Sequence, residues 1–207
     1  MIDLLSVGGV FVLLLAGGLS IPHWVKRWRM GQAFSKLQRM VGSGEVATSW
    51  LGWPRFAGRF EGRPCQINFE TTLVSSSYGA LGDLAARYRL GLALRHGQAI
   101  SFERPSVFAK WFRASPRARN GKGLVIAGEF WNVRSADVSA AKRLADHPEF
   151  SRTLQALRFC KLVTLDHRCV EALEVEVSRQ ELRAERLVSM LTLLNVMAKA
   201  AETLSES

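Results

Sequence analysis

The sequence predicts an α+β protein: a single N-terminal transmembrane helix, then one mostly antiparallel-sheet domain with packed helices and a long C-terminal helix. Three observations predict it. Leu4 to Ile21, LLSVGGVFVLLLAGGLSI, carries no charge and, extended to Val25, reaches the roughly 20 apolar residues that span a bilayer core. Short alternating apolar and polar stretches follow, separated by hairpin-sized turns. The chain then closes on an apolar stripe at helical spacing from Ser178 to about Leu204.

Backbone amides in lipid must be paired internally, so the first run is expected as a helix despite Gly8, Gly9, Gly17 and Gly18. Lys26, Arg27, Arg29, Lys36 and Arg39 follow it with no acid until Glu45, which predicts a cytoplasmic C-terminal domain. A cleavable signal peptide would begin with a basic region, whereas this tail holds Asp3. Trp24 and Trp28 suit the interface, where indoles prefer to sit. Gly9 and Ala16 share a face that would admit a partner helix, although ordinary membrane-helix composition is the plainer reading of the glycines. The expected boundaries are 1–25 for the anchor, 26–44 for a basic juxtamembrane segment and 45–207 for the cytoplasmic domain.

Gly31 to Val41 places Phe34, Leu37 and Val41 on one side of a short amphipathic helix. Phe56, Phe60, Cys65, Ile67 and Phe69 suggest strands joined by a hairpin turn at Glu61-Gly62, with Arg59, Arg63 and Gln66 facing water. Ser75 to Ala86 is ambiguous between a loop and a helical turn at DLAAR. Tyr88, Leu90, Leu92 and Leu94 alternate with wet positions, and Ala99 to Glu103 is expected to return as the partner strand after His96-Gly97.

Ser106 to Arg113 reads as a helix with Val107, Phe108, Trp111 and Phe112 on one side. Arg104 to Lys122 contains six bases and no acid. A sheet-packed helix with a solvated loop, a segment lying on a bilayer, and a grip on single-stranded nucleic acid all fit that composition.

Leu124 to Val133, LVIAGEFWNV, reads as one strong strand. Ser135 is a plausible N-cap for a helix with Asp137 in its first turn, and Asp146 for a second helix, with Glu149 three residues on and Pro148 in the first turn. Phe150, Leu154 and Leu157 form the second helix's buried stripe. Two strands follow, Lys161 to Asp166 and Ala172 to Val177, with Leu173, Val175 and Val177 facing in and Glu174 and Glu176 out. Ser178 and Glu181 form a capping box ahead of the last helix. Its wide apolar sector offers Leu187, Leu191, Leu194 and Met197 to a partner.

Charge divides the chain. Residues 1 to 44 hold five bases and one acid, 45 to 128 twelve and five, and 129 to 207 eleven and twelve. A basic front half beside a membrane gains about 1 kcal/mol per residue near anionic lipid. Lys26, Arg27, Arg29, Lys36, Arg39, Lys110, Arg113, Arg117, Arg119 and Lys122 are therefore the candidate headgroup contacts. Nucleic acid is the weaker reading of the same charge.

The run FWNVRSADVSAAKRLADHPEFSRTL, followed by two short strands and a long closing helix, resembles the C-terminal half of bacterial membrane-anchored domains of unknown function. The resemblance covers Phe130 to Leu154 by motif and continues to Ala201 by element order. It implies a compact α+β domain beside a membrane and carries over no catalytic residue.

No acyl-transfer, P-loop or zinc-protease signature is present in the sequence. Cys65, Cys160 and Cys169 are too few and too irregular for a disulfide framework. Cys160, His147, His167 and Cys169 lack the paired spacing of a zinc site, and nothing in the spacing supplies Cys65 with a base. Neither a cofactor nor a small-molecule substrate is expected.

The expected protein is a non-enzymatic, single-pass subunit of the inner (cytoplasmic) membrane. It would stabilise a larger membrane protein complex, with a respiratory or photosynthetic assembly among the candidates, and its partners would be lipids and other membrane subunits. A peripheral module that binds or senses anionic lipid is the alternative, and an enzyme with an unrecognised site the second.

Overall fold

Strands that alternate apolar and polar residues leave one face of a sheet to be covered, and here helices cover it. The computed structural model describes residues 24–48, 52–72, 83–93, 99–104, 122–126, 128–175 and 183–206. Within them run nine strands: β1 (Glu45–Ala47), β2 (Arg55–Phe60), β3 (Arg63–Thr72), β4 (Asp83–Gly91), β5 (Ile100–Glu103), β6 (Lys122–Ile126), β7 (Glu129–Arg134), β8 (Cys160–Leu165) and β9 (Cys169–Glu174). The helices are α1 (24–41), α2 (Val138–Asp146), α3 (Pro148–Ala156) and α4 (Ala184–Glu206). The strands form one sheet in the order β1-β2-β3-β4-β9-β8-β5-β7-β6, every pair antiparallel. This is the α+β class the sequence predicts, with one large antiparallel sheet and a long apolar C-terminal helix.

Register fixes which side chains meet the helices. Cys65 pairs with Leu90, Ile67 with Tyr88 and Phe69 with Ala86, and Leu90 and Tyr88 pair on with Val170 and Ala172. All of these are buried. Phe34 of α1 stacks on Phe69 at 5.5 Å, and Phe150 of α3 lies 5.4 Å from Phe102 of β5. The described helices therefore share one face. On the other stand half-buried or exposed groups such as Gln66, Asn68, Glu70, Arg87 and Arg89.

The hairpin at Glu61-Gly62 forms as expected, with φ of +48° and +80°, the twist a two-residue hairpin loop requires. The stripe of Phe150, Leu154 and Leu157 is fully buried.

Other expectations are corrected. LVIAGEFWNV is two strands, β6 and β7, because the chain reverses near Gly128, whose φ of +79° suits glycine. DLAAR opens β4 and is not helical. Ala99 to Glu103 does not pair with β4; β5 lies between β7 and β8, while β4 pairs with β3 and β9. The α2 cap is Asp137, whose carboxylate accepts from the Ser139 and Ala140 amides. Ser135 instead donates its hydroxyl to the Asp137 carbonyl. Asp146 ends α2, and His147 caps α3 ahead of Pro148.

In β9 the inward phase is opposite to expectation. The strand starts at Cys169, and its core positions are Val170, Ala172 and Glu174, leaving Leu173 on the other face. Side chains alternate with period two, so a change of phase turns every one over.

The predicted anchor, with Gly9 and Ala16, lies outside the described residues, as do the basic segment 105–121 and the Ser178/Glu181 box.

Candidate membrane-facing surface

Helix α1 has two unlike halves. In its second half Met30, Ala33, Phe34 and Leu37 recur at the three- and four-residue spacing of one helical face, and all are buried on the sheet. Lys36 ties the same half to α4 through Glu185 at 2.5 Å. The first half carries no such stripe: Trp24 is 62% exposed, Val25 44% and Trp28 60%.

Trp24 and Trp28 are four apart, so they stand above one another on one side of the helix. Lys26 and Arg29 are exposed among them, and Arg27 is half-buried. Large indoles left in water beside unburied cations make a poor packing surface and a good interfacial one, since Trp offers an apolar body with a polar edge.

The predicted headgroup contacts divide. Lys26, Arg29 and Arg39 are exposed on α1. Lys36 is exposed as well and pairs there with Glu185 of α4. Lys110, Arg113, Arg117 and Arg119 lie outside the described residues, and Lys122 begins β6.

Leu187, Leu191, Leu194 and Met197 do not form a partner surface. Each is 0% exposed, because α4 runs between the sheet and the neighbouring helices, and its apolar sector is consumed within the chain. Residues Ala184–Ser205 are long and apolar enough to cross a membrane by length and composition, but half of that segment is buried inside the domain.

Two polar networks that hold α4 in place were not legible in the sequence. In the core, Glu174 (2% exposed) accepts from the Tyr88 hydroxyl at 3.0 Å and from the Arg186 guanidinium. Arg186 in turn lies 5.0 Å above the Phe159 ring. Burial raises the Glu174 pKa against the opposing pull of Arg186 and Tyr88, and burial likewise pushes the Tyr88 phenol well up. At the other end of α4, Arg63 holds Glu202 through two bonds of 2.6 Å and donates to Asn195 at 3.0 Å. Arg63, expected in water, is thus half-buried against α4.

Among the described residues no group of three or more His, Cys, Asp or Glu is placed to hold a metal. Cys65 and Cys160 are buried, and burial pushes the Cys65 thiol up to about 11. A thiol so raised is a poor nucleophile at neutral pH.

No protein-family model and no curated protein matches the chain. In three dimensions it is similar to the crystal structure of the mycobacterial trehalose monomycolate transport factor A, TtfA, with a TM-score of 0.56 and 12% identity, over 83% of this chain and 93% of that one. At that identity the likeness concerns the fold alone. The class defined is an open-faced antiparallel sheet covered by helices, one of which carries an exposed Trp and basic end.

Proposed function

We propose that this protein is a non-enzymatic, single-pass protein of the inner membrane whose cytoplasmic domain serves as an accessory or scaffolding subunit of a larger membrane complex. The observation that carries the reading is α1. Its rear half is locked into the core while its front half leads back toward the uncharged run Leu4 to Ile21 with Trp24, Trp28, Lys26 and Arg29 in the open. An arrangement of that kind holds a folded domain at a fixed distance from a bilayer, with the indoles at headgroup depth. TtfA, whose fold is similar, is by name a transport factor, which is compatible with an accessory role beside a membrane.

Crosslinking in the native membrane followed by mild detergent extraction tests the reading. The expected result is a defined larger assembly. A monodisperse monomer, with no crosslinked partner, overturns it.

The exposed cations of α1 also favour a second reading, a module that binds or senses anionic lipid. In that case the full chain should partition onto phosphatidylserine vesicles more strongly than onto neutral ones, and the preference should fade with salt.

A further inference from the structure

A sheet has two edges, and proteins blunt edges that are not meant to pair, by brevity, charge or proline. One edge here is β1, three residues long with Glu45 at its start. The other is β6, with the sequence KGLVI, whose last three residues are apolar. Among the described residues nothing pairs with its outer side. Val125 is 72% exposed, and its cross-strand partner Phe130 is 49% exposed.

The backbone of β6 is poised for addition. The hairpin closes on the Ile126–Glu129 pair, and a two-residue loop closes on a hydrogen-bonded pair. Val125 and Gly123 therefore turn their amides and carbonyls away from β7, toward the free edge. Beside that edge a groove of about 460 Å³ runs between β6 and the two helices α2 and α3, with Lys142, Arg152, Asp146 and Ser151 on its helical wall. Among the described residues neither Lys142 nor Arg152 has an ion-pair partner.

We infer that β6 is a docking edge for an extended segment of a partner protein that alternates acidic and apolar side chains. Added as a further strand, such a segment would present alternate side chains to the two faces. Those on the helix side meet Lys142 and Arg152, two cations against the one carboxylate of Asp146, and that net positive wall favours carboxylates. The rest lie beside Val125 and Phe130, which favours branched apolar groups. A second copy joined edge to edge brings Lys142 and Arg152 toward the same two cations of its mate, so charge disfavours it. The inference deepens the accessory reading by giving the partner's chemistry.

The test titrates the full-length protein in detergent with fluorescent heptapeptides. Glu-Val-Glu-Val-Glu-Val-Glu is expected to bind at least tenfold more tightly than its Lys-Val counterpart. Val125→Pro, which removes only an outward amide, should abolish binding. The Lys142→Glu, Arg152→Glu double variant should reverse the preference, and it covers the case in which the proline variant fails to fold. Equal binding of both peptides, or a Val125→Cys variant that forms disulfide-linked dimers in the native membrane, overturns the inference. The accessory reading fails separately. Peptide binding without any complex in the membrane sinks that reading alone, and a complex that survives both sets of variants sinks the docking edge alone.

Discussion

Arg63 and Glu202 meet through two parallel hydrogen bonds of 2.6 Å each, joining the start of β3 to the last turns of α4 across most of the chain. Both side chains are about one-fifth exposed, at 19% and 20%, and Glu202 also accepts from the Ala93 amide at 2.9 Å. Shielding of this degree and two-point geometry raise the pair above an ordinary surface ion pair. A double-mutant cycle on Arg63→Ala and Glu202→Ala should give a coupling of about 1 to 2 kcal/mol by urea denaturation. Arg63→Lys should recover less than half of it, because an ammonium cannot reproduce the fork. A coupling near zero would show that the contact is incidental.

Two carboxylates give the stability curve opposite slopes. Arg63 lowers the Glu202 pKa from its ordinary 4.5, so its contribution is complete above 4.5 and is lost as pH falls through the lower folded value. Burial raises the Glu174 pKa above 4.5, so its contribution is complete below 4.5 and is lost as pH rises through the higher folded value. Acidification from neutrality should first stabilise the domain slightly and then destabilise it. Urea midpoints against pH should lose the first feature in Glu174→Gln and the second in Glu202→Gln.

Two glycines separate space from conformation. A Cβ at Gly58 in β2 would stand 2.9 Å from the Gly44 Cα and 3.0 Å from the Ser43 carbonyl oxygen, backbone atoms that cannot swing aside. Gly58→Ala should cost about 1 to 3 kcal/mol. At Gly31, inside α1, a Cβ meets nothing within 4 Å. Gly31→Ala should therefore stabilise by about 0.5 to 1 kcal/mol through helix propensity. Thermal midpoints moving in opposite directions check both.

Local chemistry decides part of this fold, and contacts between distant segments decide the rest. The Glu61-Gly62 hairpin, the Tyr88–Leu90 alternation and the faces of α1, α3 and α4 all follow from spacing within a few residues. The LVIAGEFWNV hairpin was hidden because Ala127-Gly128 is a weaker turn signal than Asn-Gly. The placement of β5 between β7 and β8 depends on strands about 30 and 60 residues further along, which no window contains. Spacing alone puts Leu187, Leu191, Leu194 and Met197 on one face, but what covers that face is invisible locally, since the sheet is assembled from far upstream. The inward Glu174 escapes local reading for a related reason: a carboxylate inside a core is unexpected without Arg186 and Tyr88 around it.

That core carboxylate supplies the sharpest mutational test. Glu174 is almost wholly enclosed, at 2% exposure, and the Arg186 guanidinium is its main source of opposing charge. Removing one partner leaves the other charge, or its hydrogen-bonding capacity, stranded, at a typical cost of about 3 to 5 kcal/mol. Arg186→Met should therefore be strongly destabilising. Replacing Glu174 as well, by Gln, keeps an acceptor for the Tyr88 hydroxyl and removes the stranded charge. The double variant should then recover at least half of the loss. If both variants unfold at the same urea concentration, the destabilisation comes from the other contacts of Arg186, its packing on Phe159 among them, rather than from the unpaired carboxylate.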